Sequence, residues 1–288
     1  MGSQSGSQPP AIVVEKLGVA FSTAFRQPPL WALRAVDLRV ESGEIVGVLG
    51  PNGSGKTTLL NVLGGLLRPT EGSARVLDRS PQDRSLIQRV GVQLEGPLPF
   101  PTLSGPEFLQ YMGDLMHLAK VRTKAASSVW LERFQLDHAA RRPIRQYSTG
   151  MRRRLALAAA LLADPDVLLL DEPTAGLDPE GSMIACEAIR QRASAGGAVI
   201  LASHHLQEVE QICDRVYLLE GGQVARVGTL DELLGTGDQK LVVRGLDSAG
   251  MGTLEAAVEA AGGEVVEQGA HREHLFALFR KLRRGERA

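Results

Sequence analysis

The run Gly50-Pro51-Asn52-Gly53-Ser54-Gly55-Lys56-Thr57-Thr58 follows directly on the apolar stretch Ile45-Val46-Gly47-Val48-Leu49, an order that leaves this part of the chain little choice of structure. It predicts a buried strand, a glycine-rich loop at its end, and a helix that starts at Lys56. Glycines in the loop let successive backbone N–H groups converge on one point, and the helix adds the positive end of its dipole. Such a cradle binds phosphate. Lys56 is spaced to reach the outer phosphates of a nucleoside triphosphate, Thr57 to put its hydroxyl on Mg²⁺, and Thr58 to donate to a neighbouring phosphate.

Around this loop the pattern is that of an α/β protein. Residues 11–48 alternate in short apolar and polar segments with a Ser42-Gly43 turn, the look of a β-rich entry. The helix from Lys56 is expected to run to about Leu67, broken by Arg68-Pro69-Thr70-Glu71-Gly72, and a strand to follow over Ser73–Leu77. Val167–Leu170 and Ala198–Leu201 are apolar without alternation, which predicts strands covered on both faces and hence a mainly parallel central sheet. The Pro-rich connector at 96–101 cannot lie inside a helix, and a mostly helical insert is expected over about 104–145. Gly221-Gly222 between two apolar runs predicts a hairpin. From 236 to 288 the chain reads as a small α+β domain, with strands at Leu241–Arg244 and Glu264–Glu267, a helix over Thr253–Ala261 and another from about His271.

Composition excludes several classes of function. Lys plus Arg number 32 against 33 acidic residues, so a net charge of −1 gives no broad footprint for nucleic acid, and none is expected as a partner. The longest unbroken apolar stretch, Leu155–Ala163, is about half of what a bilayer-spanning helix needs. Residues 1–10 are rich in Gly, Ser, Gln and Pro and read as a disordered leader, not as an export signal. Cys186 and Cys213 have no metal-ligand spacing and read as small buried hydrophobes in a reducing compartment.

Further along, Val167-Leu168-Leu169-Leu170-Asp171-Glu172 is a strand ending in two carboxylates, placed for one to hold Mg²⁺ and the next to face an attacking water. Tyr147-Ser148-Thr149-Gly150-Met151 opens directly into a helix and makes a second anion-binding helix start. In this order and spacing the chain resembles the ATP-binding subunits of ABC transporters over residues 11–235. Gly50–Thr58 resembles their Walker A loop, Ser148-Thr149-Gly150-Met151 their signature motif, Val167–Glu172 Walker B, Gly176-Leu177-Asp178 the D-loop, and Ser203-His204 the switch histidine.

The resemblance implies a P-loop NTPase fold of the ABC ATPase type, with an antiparallel β-subdomain and a helical insert. ATP and Mg²⁺ are the implied cofactors. Two such ATPase subunits, identical or paralogous, would meet head to tail, each offering its signature helix to the ATP held by the other. Glu172 is implied as general base or water-polariser and His204 as the residue that contacts the γ-phosphate. The implied partner is an integral membrane permease, which would place the protein at the cytoplasmic face of the membrane. The form of the signature and the short tail resemble bacterial drug and antibiotic efflux ATPases, which favours an exporter; an importer subunit, or an ABC-type ATPase acting on ribosomes or nucleic acid, are the alternatives.

Two positions depart from the family pattern. Aligned without gaps on the Pro-rich segment, the Q-loop position falls on Glu95, a carboxylate able to approach Mg²⁺; a two-residue slip puts Gln93 there instead. For the aromatic that stacks on adenine, Phe21 is the first candidate, with Phe25 and Trp31 behind it. The Arg152-Arg153-Arg154 run reads as a charged helix face.

Overall fold

The computed structural model describes residues 9–22, 28–204, 206–234, 247–262 and 265. The chain divides into two compact units, residues 1–234 and 235–288.

The first unit runs β1 (Ile12–Phe21), β2 (Leu30–Val40), β3 (Ile45–Leu49), α1 (Lys56–Leu63), β4 (Glu71–Val76), β5 (Val90–Gln93), α2 (Gly105–Leu115), α3 (Lys120–Arg133), α4 (Thr149–Leu161), β6 (Val167–Asp171), α5 (Pro179–Ser194), β7 (Ala198–Ser203), α6 (Leu206–Ile212), β8 (Arg215–Glu220), β9 (Gln223–Thr229) and α7 (Leu230–Leu234). In the second unit, α8 (Ser248–Ala260) starts earlier than the sequence pattern indicated, because the Asp247 carboxylate accepts from the Gly250 N–H at 2.8 Å and caps it. Leu241–Arg244, most of the stretch Glu264–Glu267 and the segment from His271 lie outside the described residues.

Two sheets organise the first unit. One is antiparallel, in the order β2-β1-β4; the other runs β5-β6-β7-β3-β8-β9, parallel up to β8, with β9 folding back through the Gly221-Gly222 turn. The unalternating apolar strands now have their reason. Ile45, Leu49, Leu168, Leu170, Val199 and Leu201 pack into a core shared with the helical insert, α4 and α5. Their neighbours Val46, Val48, Leu169, Ile200 and Ala202 pack into a second core with α1 and the antiparallel sheet. Adjacent residues on a strand point to opposite faces, so only a strand buried on both sides needs both to be apolar.

The helix after the phosphate loop is shorter than the sequence pattern indicated. It ends at Leu63, not near Leu67, because Gly64 caps it and Gly65 takes φ 75°, which lets the Leu66 N–H reach back to the Asn61 carbonyl at 2.9 Å. At the other side of the sheet α4 lies directly on β5. A Cβ added at Gly91 would stand 2.1 Å from the Ala160 carbonyl oxygen, so the approach of helix to strand depends on that glycine.

Candidate functional site

The loop at Gly50–Gly55 joins β3 to α1, at the ends of the parallel strands where open α/β sheets place their ligands. Its shape is held by sterics and by its own lysine. Gly55 sits at φ 105°, and a Cβ there would meet Leu33 Cδ2 at 2.5 Å and the Ala32 carbonyl at 2.6 Å. Lys56 Nζ folds back to donate to the Gly50 carbonyl at 2.7 Å and the Pro51 carbonyl at 3.1 Å. Its charge therefore lies at the centre of the loop, beside the N-terminus of α1, where an anion gains from both. Ser54 is buried with its Oγ unpartnered, while Asn52, Gly53 and Thr57 are exposed at the rim and Thr58 is half-buried.

One strand over from its neighbour β7, β6 ends in Asp171, only 1% exposed. The Thr57 hydroxyl donates to its Oδ2 at 2.7 Å. Burial raises the Asp171 carboxyl above its ordinary range; the Thr57 bond opposes that, the Glu172 and Glu95 carboxylates add to it, and Lys56 counters it. A buried carboxylate with acidic neighbours is relieved by a divalent cation. Among the described residues no group of three or more His, Cys, Asp or Glu forms a metal cage. Mg²⁺ uses one or two protein oxygens and takes the rest from phosphate and water, a demand the Thr57 hydroxyl and the Asp171 carboxylate meet side by side. Thr57 and Asp171 are the residues here that fit it.

Gln93 is the other residue at this edge. It ends β5, pairs in register with Leu170, and is 2% exposed with neither amide atom hydrogen-bonded. A buried primary amide without partners stands ready for a ligand or an ordered water. Glu95 lies two residues on, exposed at the start of the Pro-rich segment. Gap-free alignment on the prolines cannot see this difference in burial.

Glu172 takes φ 49°, a left-handed conformation rare for a residue with a Cβ. The turn aims its side chain back at the end of β7. There Oε1 accepts from the His204 backbone N–H at 3.0 Å and meets the His204 Nδ1 at 2.6 Å, while Oε2 accepts from the Ser203 hydroxyl at 3.1 Å. A charged carboxylate at that distance requires the proton on Nδ1, which fixes the ring's orientation. The imidazole side chain is about half exposed.

The remaining candidates lie on other elements. Ser148 caps α4, its Oγ accepting from the Met151 N–H at 3.1 Å, and Arg152 Nη1 donates to the Tyr147 carbonyl at 2.7 Å. No acidic residue stands in the first turn of α4, so its positive end is uncompensated. Thr149 is exposed, and a side chain added at Gly150 would meet Gly176 and Leu177. Asp178 caps α5 by accepting from the Gly181 N–H at 2.8 Å. The residue before the histidine, Ser203, and the pair formed by Thr174 Oγ1 with Glu208 Oε2 were not singled out from sequence. Adjacency to His204 was the one available signal for Ser203.

Phe21 closes β1 opposite Leu30 and is 43% exposed, so it is not a core residue of the strand. Trp31 pairs with Ala20, and Phe25 lies outside the described residues. Cys186 and Cys213 are buried and their thiols are pushed up to about 12, chiefly by burial. Of the three arginines in α4, Arg154 turns inward and donates to the Phe134 carbonyl at 2.9 Å, so the run is not a purely solvated face. Arg152 and Arg153 border a groove of about 870 Å³, together with Gln93, Leu98, Phe108 and Met112.

A family model described as ABC transporter matches residues 33–175. The daunorubicin resistance ATP-binding protein DrrA3 of Streptomyces coeruleorubidus is 43% identical over 204 residues, which are 70% of this chain and 65% of that protein. The chain thus spans somewhat under two thirds of that relative. The daunorubicin/doxorubicin resistance ATP-binding protein DrrA of Streptomyces peucetius is 34% identical over 260 residues, 89% of this chain and 79% of that protein. Among solved structures, one described as an ATP binding subunit of an ABC transporter superposes with a TM-score of 0.69 at 25% identity, covering 77% of this chain and 91% of its own.

Proposed function

This chain belongs to the ATP-binding proteins of the ABC transporter family, and we propose that it is the ATP-hydrolysing subunit that drives a separate membrane permease, working as an exporter. The observation that carries the reading is the convergence of three strand ends. β3 delivers Lys56 and Thr57, β6 delivers Asp171 and Glu172, and β7 delivers His204, with Thr57 bonded to Asp171 and His204 to Glu172.

In this reading the loop and Lys56 hold the β- and γ-phosphates of ATP, Thr57 and Asp171 hold Mg²⁺, and Glu172 orients and polarises the attacking water. Mg²⁺ supplies charge neutralisation at the transferring phosphoryl group. His204 holds Glu172 through Nδ1 and presents the rest of its ring to the γ-phosphate. Gln93, buried and unpartnered beside β6, is read as the Q-loop residue in preference to exposed Glu95. Phe21 is read as the adenine platform on its exposure alone.

Ser148–Met151 form the helix start that completes a partner's ATP site in a head-to-tail dimer. Within one chain that helix packs on β5, at the far edge of the sheet from β3, which supports a role in trans. The groove beside Gln93 receives a cytoplasmic segment of the permease, and the protein sits at the cytoplasmic face of the membrane by that contact. No described helix is long and apolar enough to cross a membrane. The resistance relatives support export over import, with a drug, antibiotic or lipid-like cargo selected by the permease.

The test is the Glu172→Gln chain with Mg-ATP. It should bind ATP like the wild type, lose hydrolysis by about 100-fold or more, and accumulate as an ATP-dependent dimer in size-exclusion chromatography. Affinity purification from detergent-solubilised membranes should recover an integral membrane protein. Full turnover by Glu172→Gln would overturn the catalytic assignment, and recovery of ribosomes or nucleic acid instead of a membrane protein would overturn the transport assignment.

A further inference from the structure

β7 is apolar from Ala198 to Ala202 and then ends in Ser203, whose side chain is 0% exposed. A hydroxyl at the end of so apolar a strand requires a polar reason for being there. Its register gives one. Ser203 lies opposite Leu49, the last residue before the phosphate loop, while its neighbour Ala202 pairs with Asp171 and accepts from the Glu172 N–H at 2.9 Å. Ser203 is thus wedged between the strand that carries the loop and the turn that carries Glu172.

We propose that Ser203 is a positioning residue for hydrolysis: its hydroxyl and the His204 peptide N–H, one on each oxygen, fix the plane of the Glu172 carboxylate toward the water. The proposal rests on Glu172 being the water-polarising group. The terminal torsion of a glutamate is broad and nearly two-fold, so a single hydrogen bond leaves the carboxylate plane loose. The Ser203 bond of 3.1 Å to Oε2 and the backbone bond of 3.0 Å to Oε1 remove that freedom. The Glu172 backbone holds the left-handed conformation at φ 49°, and from that turn the side chain reaches the end of β7. The backbone N–H and the ring Nδ1 of His204 both meet Oε1, whereas the Ser203 hydroxyl meets Oε2. A carboxylate gripped on one oxygen can still swing about that oxygen.

Steady-state hydrolysis by the full chain tests this with Ser203→Ala, Ser203→Thr and Ser203→Cys, each also in the Glu172→Gln background. Loss of a hydrogen bond to a charged group should lower kcat of Ser203→Ala on the order of 10-fold, with KM for ATP unchanged. Threonine, which keeps the hydroxyl, should restore most of kcat; cysteine, close in volume but a weak donor, should behave like alanine. In the Glu172→Gln background, Ser203→Ala should add no further loss, because both substitutions act on the same water. Wild-type kcat in Ser203→Ala and Ser203→Cys would overturn the proposal. So would an equal fold-loss in the Glu172→Gln background, or an effect confined to KM. If Ser203→Ala fails to fold, cysteine against threonine decides the matter. Full activity of Glu172→Gln alone would instead refute the role given to Glu172.

Discussion

The Thr57 hydroxyl donates a 2.7 Å hydrogen bond to Oδ2 of Asp171, although the strands that precede the two residues are not neighbours. β7 lies between β3 and β6, so α1 must cross over β7 for its first turn to reach the end of β6. The two oxygens proposed for Mg²⁺ are thereby brought together by the protein's own fold. This preorganisation has a cost in the form of a buried acid.

Asp171→Asn should therefore stabilise the nucleotide-free protein while abolishing its response to Mg-ATP. The folded-state value of Asp171 is raised above the ordinary 3.8, so the folded protein holds that proton more tightly than the unfolded chain. Its contribution to stability is present below 3.8 and is lost as pH rises through the folded value; at neutral pH the whole penalty applies. Asparagine can still accept from Thr57 but carries no charge. Differential scanning fluorimetry at pH 7 should show a higher Tm for the variant without nucleotide, at about 2–4 °C per kcal/mol recovered for a domain of this size. It should also show no further rise with Mg-ATP, and an advantage over wild type that shrinks on acidification.

Gln93 and Glu95 should separate cleanly. Gln93→Ala removes the buried amide and leaves a gap beside β6, so the Mg²⁺ concentration for half-maximal hydrolysis should rise and kcat should fall. Glu95→Gln removes an exposed charge whose effect on Asp171 ranks behind burial, the Thr57 bond and Glu172, so it should shift both quantities far less than Gln93→Ala does. Mg²⁺ titrations of ATPase rate check both, and the reverse ranking would return the role to Glu95.

Ser148→Arg should strip hydrolysis from the assembled protein without touching the phosphate loop of its own chain. Loss of the cap on α4 costs about 1 kcal/mol, a small change in Tm. ATP binding to the monomer, followed by fluorescent nucleotide titration, should be unchanged, whereas the ATP-dependent dimer should disappear from size-exclusion profiles.

Both thiols should resist modification in the native state. Values of about 12 for Cys186 and Cys213 leave almost no thiolate at pH 9, and both sulfurs are buried. Reaction with an aromatic disulfide reagent should stay near zero in buffer at pH 7 and at pH 9, then reach two thiols per chain in denaturant.

What was legible in the sequence was what local chemistry decides. The loop, the apolar strands and the Gly221-Gly222 turn are encoded within a few residues of themselves, and the structure places them accordingly. The end of α1 is less legible: Pro69 is the stronger helix-stop signal in the sequence, but the helix already ends at Leu63, where Gly64 and Gly65 turn the chain. Contacts between distant segments were out of reach. Ser203 and Glu172 are 31 residues apart and meet only because β6 and β7 pair in parallel. The burial that separates Gln93 from Glu95 likewise depends on β5 adding to the edge of β6, and nothing within the Pro-rich segment records it.

The contact at Gly91 has a mechanical meaning. With the Ala160 carbonyl oxygen 2.1 Å from where a Cβ would stand, α4 meets β5 backbone to backbone at this point. The same helix carries Arg152 and Arg153 on the groove wall and Ser148 at its start, and the strand it rests on ends in Gln93. A single methyl group at position 91 would wedge helix and strand apart, because the atom it meets is backbone and cannot rotate out of the way.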